Sequence, residues 1–264
     1  MAEVVKLINR EFRPTSVSAD LGTKRDRIIK QLTGCNDPYA RSKKLANEKA
    51  LQMLPGAKKM VRTANNQQER FKKAALCSIV GNIMEFDIPG SKFTLKNFHK
   101  TFNDAAKDLF IDDLDKAYEL AKKADSVLFL ADNAGEIVFD TLLAEQLKNM
   151  GLKVTYVVKG APVLNDATME DVELSGMDKM VDNVITTGTD AVGLLKKEVS
   201  KEFLEVYEKE QLIFAKGMGY AETLTEYKLT KPHLLLFRTK CVPVANYFAA
   251  PRNKNIAKLL MPTP

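Results

Sequence analysis

The stretch DSVLFLADNAGEIVFDTLLAEQLKNMGLKVTYVVKGAPVLND, residues 125–166, contains two short apolar runs, SVLFLA and KVTYVV, joined by a helix-compatible segment. An unbroken run of this length fits a strand buried on both faces, and strand, helix, strand is the repeating unit of a parallel sheet. Downstream, NVITT, LIFAK and HLLLFR are three more such runs, spaced largely by helical stretches such as KEFLEVYEKEQ. Five strands alternating with helices predict an α/β fold with a mainly parallel sheet covered on both faces.

Upstream the texture is helical. After Asp37 and Pro38, ARSKKLANEKALQML spaces Leu45, Ala46, Ala50, Met53 and Leu54 for one helix face until Pro55-Gly56, where the pattern is expected to stop. A second amphipathic stretch runs from Ala57 to about Met84 with a break near Gly81, and a third from Asn103 to Lys123. The expected division is a helical subdomain over 1–124 and an α/β domain over 125–264, packed as one compact unit, with no internal repeat.

Lysine and arginine number 40 against 34 acidic residues in 264, a net charge of +6. That excess suits an anionic ligand but is small for a nucleic-acid binder, which clusters its basic residues on one face or tail. The pairs Lys43-Lys44, Lys58-Lys59 and Lys72-Lys73 are dispersed and read as solvated helix faces. No segment nears ~18 consecutive apolar residues, and MAEVVKLINREF lacks a signal-peptide core, so no membrane association is expected and the expected compartment is the cytoplasm. Cys35, Cys77 and Cys241 have no C-x-x-C spacing; they suggest neither a disulfide framework nor a zinc site and read as buried thiols.

Ligands of an open parallel sheet bind beyond the carboxyl ends of its strands. The first run ends in Asp132-Asn133-Ala134-Gly135-Glu136, the second leads through KGAPVLN to Asp166, the third ends in Gly188-Thr189-Asp190, the fourth in Lys216-Gly217-Met218-Gly219-Tyr220 and the fifth in Arg238-Thr239-Lys240. Asp132, Asn133 and Asp166 form a hard, oxygen-only donor set suited to a divalent cation. Lys216 and Lys240 would oppose phosphate charge, and Gly217 and Gly219 would let backbone N–H groups approach it. Glu136 and Asp190 complete the polar rim. A plainer reading makes Asp132 and Asn133 caps of the helix that starts near Glu136, makes Asp166 and Asp190 caps of later segments, and leaves the lysines solvated. The convergence of all these groups on one sheet edge favours phosphate-ester chemistry. With His99 and His233 the only histidines, no Ser/His/Asp triad can be drawn.

The segments GNIMEFD (81–87), ADNAGEIVFD (131–140), VVKGAPVLNDATMED (157–171), TTGTDAVG (186–193), FAKGMGYAETL (214–224) and FRTKCVPVA (237–245) together resemble the damage-control phosphatase family, in its smaller archaeal-type members. The resemblance implies a Rossmann-like three-layer α/β/α sandwich beside a helical subdomain and metal-dependent hydrolysis of phosphate monoesters of small metabolites, such as sugar phosphates or damaged nucleotides. It also implies Mn²⁺, Ni²⁺, Co²⁺ or Mg²⁺ held by Asp132, Asn133 and Asp166, phosphate contacts from Lys216 and Lys240, and an approach to the cleft by Asn82. Glu85 and Ala221 depart from the family's pattern. A haloacid-dehalogenase-type site needs a second aspartate where Ala134 stands. A nucleotide-binding methyltransferase would want a glycine-rich first turn, of which only Gly135 is present. The reading from another class is a non-catalytic nucleotide or nucleic-acid binding module, which would show no metal-dependent turnover.

Overall fold

The chain begins with five helices: α1 (Ala2–Glu11), α2 (Ser18–Thr33), α3 (Ala40–Arg62), α4 (Gln67–Ile83) and α5 (Leu95–Lys107). Strands and helices then alternate through β1 (Leu109–Asp112), α6 (Leu114–Ala121), β2 (Ser126–Leu130), α7 (Glu136–Asn149), β3 (Lys153–Val158), α8 (Met169–Ser175) and β4 (Asn183–Thr186). They continue through α9 (Lys201–Lys209), β5 (Leu212–Lys216), α10 (Met218–Leu224), β6 (His233–Arg238), α11 (Val242–Tyr247) and β7 (Asn255–Leu260). This computed structural model describes residues 1–83 and 95–262. The side chain of Asn82 and the whole of Glu85 lie outside the described residues.

All five expected strands are present, as β2 to β6, in a seven-stranded sheet ordered β1-β7-β6-β5-β2-β3-β4. Every ladder is parallel except β6 with β7. Since β1 pairs parallel to β7, these two strands run against the other five. Side chains alternate across the pleat. In β2, Val127 and Phe129 join the core shared with α3, α4 and α7, while Leu128 and Leu130 join the core under α9 and α10. The result is the expected three-layer sandwich, in which α4 and α7 cover one face and α3 packs outside them.

The sheet therefore starts at Leu109, ahead of the boundary expected at 124, and the stretch 103–123 is α5, β1 and α6 rather than one helix. Nor does α3 stop at Pro55-Gly56: Pro55 lies inside it. Ala50, Met53, Ala57 and Val61 continue one buried stripe across the proline, and that burial outweighs the lost hydrogen bond. Gly81 is likewise within α4, where a Cβ would stand 3.0 Å from Glu136 Cα and 3.1 Å from Phe139, so its missing side chain lets α4 lie directly on α7. Among the described residues, no helix is long and apolar enough to cross a membrane.

Candidate active site

From β2 the chain runs to β3 and β4 on one side, and then returns to β5 and β6 on the other, so β2 and β5 flank the topological switch point. Asp132 and Asn133 follow β2, and Lys216 and Gly217 close β5. These groups are brought to the place where such sheets bind ligands.

Backbone pairing adds Asp166. Asn133 and Asp166 form an isolated antiparallel bridge, Ala134 N–H donates to Asn165 O at 2.9 Å, and Ala167 N–H donates to Asp132 O at 2.8 Å. The loops after β2 and β3 are thus zipped together before any side chain acts. The capping alternative fails at both places. Gly135, at φ 82°, occupies the N-cap position of α7. Thr168 caps α8 in a reciprocal box with Asp171, leaving Asp166 two residues outside it.

Burial, with Glu136 and Asp166 close by, pushes the Asp132 carboxyl well above the ordinary carboxylate range, although Lys240 and Lys216 pull it back. Asp166 is pushed up to about 6 by burial, with Lys159 opposing and Glu136 adding to the rise. Carboxylates that resist ionisation together are a site that favours a cation. The Asn133 amide N–H₂ group donates to Asp132 Oδ2 at 2.9 Å and to Glu136 Oε1 at 2.6 Å. Asp132 itself lies over Gly217, where at φ 85° any Cβ would overlap its carboxylate. Two carboxylates and one amide, all oxygen donors, fit a hard divalent cation with positions left for solvent and substrate. Among the described residues, no group of three or more His, Cys, Asp or Glu side chains is arranged to hold an ion, so that fit depends on Asn133 as well.

Lys216 is placed differently from the phosphate contact expected of it. It is 0% exposed and donates to Ser78 O at 3.0 Å, Glu136 Oε2 at 3.0 Å and Asp140 Oδ1 at 2.9 Å. An ammonium has three N–H bonds, and all three are used. Burial alone would lower its pKa, but Asp140 and Glu136 hold it above the ordinary lysine value. Asp140 also accepts from Ser78 and from Tyr156 Oη at 2.7 Å. Lys216 therefore fixes Glu136, which fixes Asn133. Glu136, expected at the polar rim, is itself buried within this network.

Asp190 is also committed elsewhere: it accepts from Arg27 at 2.6 Å and from Lys30 at 2.7 Å, tying α2 to the loop after β4. Burial works against ionisation of Asp190, but those two cations hold it below the usual carboxylate range. Gly217 gives its N–H to Leu236 O, and Gly219 packs against Val192 and Gly193. Lys240 is exposed and within electrostatic reach of Asp132.

Several residues that support the site lie outside the candidates drawn from the sequence. Asn47 of α3 accepts from Gly135 N–H at 2.7 Å and donates to Asp171 at 2.7 Å, bridging both zipped loops. Lys43, expected on a solvated face, is 4% exposed and pairs with Asp37 and Asp171. Lys159, the residue after β3, donates to Ala191 O and Gly193 O at 2.8 Å each and lies 3.6 Å from Asp166. A lysine ending an apolar strand was the available signal for Lys159, and an aspartate one helical turn after Glu136 was the one for Asp140. Of the cysteines only Cys77 is buried; Cys35 is exposed because it lies in the turn after α2.

The sequence matches the damage-control phosphatase ARMT1-like domain over residues 1–256. The chain belongs to that family. It is 36% identical to a damage-control phosphatase of Archaeoglobus fulgidus over 259 residues, covering 98% of this chain and 88% of that one. It is 31% identical over 254 residues to damage-control phosphatase PH1575 of Pyrococcus horikoshii, covering 96% and 85%. The crystal structure of PH1575, described as a DUF89 family protein, superposes with a TM-score of 0.86 at 30% identity, covering 100% of this chain and 88% of the other. The switch-point site just described is thus carried on the fold of that family.

Proposed function

We propose that this member of the damage-control phosphatase family hydrolyses phosphate monoesters of small metabolites, in a metabolite-repair role, with a divalent cation held by Asp132, Asn133 and Asp166. The observation that carries this reading is the backbone zip that sets Asp166 against Asn133 and Asp132 at the switch point. A bound divalent cation supplies Lewis-acid polarisation of a phosphoryl oxygen and a lowered pKa for bound water. Asp132 and Asp166 would hold it through carboxylate oxygens, and Asn133 through its amide oxygen after a half-turn of the amide. The chain's own groups then position the substrate. Lys240, exposed beside Asp132, supplies a mobile positive charge for the phosphate, while Lys216 keeps Glu136 and Asn133 in place from behind.

The test combines metal and mutant. Protein stripped by chelation should be inert toward a panel of phosphate esters and regain turnover with Mn²⁺, Ni²⁺, Co²⁺ or Mg²⁺; undiminished turnover in excess chelator would refute the reading. Asp166→Asn should lose metal affinity and nearly all turnover. Its metal-free melting temperature should not fall, because removing one carboxylate relieves repulsion with Glu136 and Asp132.

A further inference from the structure

One buried polar group beside this site has an O–H proton that finds no acceptor among the described residues. Tyr220, in the first turn of α10, is 2% exposed, and among the described residues its hydroxyl has no hydrogen-bond partner of ordinary geometry. A buried hydroxyl without a partner is costly, so one held at the rim of a ligand site has its partner elsewhere. The ring is fixed in place. Lys159 Nζ lies 4.7 Å from its centroid and is itself anchored by the carbonyls of Ala191 and Gly193. Gly219, just before Tyr220, packs closely on Val192 and Gly193 and so sets the start of the helix. Even a long contact from Lys159 would occupy a lone pair of the hydroxyl oxygen and leave its O–H proton without an acceptor.

The ionisable groups that act on Tyr220 are Lys159, Asp166 and Asp132, all at the candidate site. Lys159 joins Tyr220 to Asp166 at 3.6 Å, and Gly217, three residues before Tyr220, lies under Asp132. Burial raises the Tyr220 phenol pKa, with Asp166 and Asp132 adding to the rise and Lys159 opposing it, so the group stays protonated at neutral pH.

We propose that Tyr220 donates its hydroxyl hydrogen bond to an oxygen of the phosphoryl group bound at Asp132, Asn133 and Asp166. The assignment rests on the phosphatase reading and adds to it a neutral donor on the β5 side of the site. It complements Lys240, which offers charge from the solvent side. Lys159 then acts as a positioning residue, holding both the Tyr220 ring and the Asp166 carboxylate.

Tyr220→Phe tests this, since it keeps the ring against Lys159 and removes only the O–H. In Mn²⁺-loaded protein, the affinity for inorganic phosphate and the kcat/KM for an ester the wild type hydrolyses should each fall about 10- to 100-fold, the range of a hydrogen bond to a charged oxygen. Mn²⁺ affinity and melting temperature should stay at wild-type values. Wild-type phosphate affinity and kcat/KM in the variant would overturn the proposal. So would a melting temperature lowered by several degrees, because the hydroxyl would then be serving the fold. If the wild type itself neither binds phosphate nor turns over any ester with any of the four metals, the phosphatase reading fails and the role of Tyr220 fails with it.

Discussion

Lys216 and Lys240 look alike in the sequence, each at or just past the end of an apolar strand, yet the fold gives them opposite surroundings. Lys216→Met would leave Glu136 and Asp140 buried with their shared cation gone, and breaking a buried pair in this way costs about 3–5 kcal/mol. Urea denaturation should show that loss. Lys240→Ala should leave the unfolding midpoint within about 0.5 kcal/mol of wild type, as exposed changes do, while raising KM for phosphate esters. Equal stability of the two variants would contradict the division of roles. The ligand candidates were legible because strand ends are visible in sequence, and Asp132, Asn133 and Asp166 fall on them. Their supports were not: Ser78 meets Asp140 across 62 positions and Asn47 meets Gly135 across 88, and no local pattern joins residues so far apart.

At the scale of elements, α3 carries an exposed proline in its interior. Pro55→Ala restores an N–H donor and removes a ring that crowds the preceding turn, so it should stabilise the protein by roughly 1–3 kcal/mol; a lower melting temperature in the variant would contradict this. Gly81→Ala should act the other way, despite the better helix former, because the new methyl meets the backbone of α7 at 3.0 Å. A cost of about 1–3 kcal/mol is expected from such overpacking, with lower turnover because Glu136 is displaced. The same elements show where sequence patterns mislead. A proline marks a helix end when nothing buried follows it, whereas here Ala57 and Val61 do. β1 was hidden because its four residues alternate in burial at a sheet edge, between two segments that each suit a helix.

At the scale of the whole molecule, acid stability has a definable source in His233, buried at the start of β6. Its Nδ1 lies 2.8 Å from Lys231 O, which can only accept, so Nδ1 carries the proton and Nε2 accepts from Tyr207 Oη at 2.7 Å. Burial lowers its pKa to about 4, with the Lys231 carbonyl contact opposing the fall. The unfolded chain binds this proton near pH 6.5, so the folded state is fully favoured above that value and loses up to about 3 kcal/mol as pH falls towards 4. Melting temperature should decline through that window. It should decline less in the double variant His233→Leu with Tyr207→Phe, which removes the titrating group without orphaning the hydroxyl; identical slopes would contradict this account.

The bond between Lys216 and α7 also bears on how the chain is made. Synthesis from the N-terminus delivers Glu136 and Asp140 before the lysine that neutralises them, which follows 80 and 76 residues later. A nascent chain that ends before β5 holds α7, buried along most of its length in the finished protein, with two carboxylates whose shared lysine has not yet been made. The layer that carries the candidate site therefore gains this shared cation only after β5 has left the ribosome, and a nascent chain that ends before β5 should hold the β2-α7-β3 unit less firmly than the finished protein does.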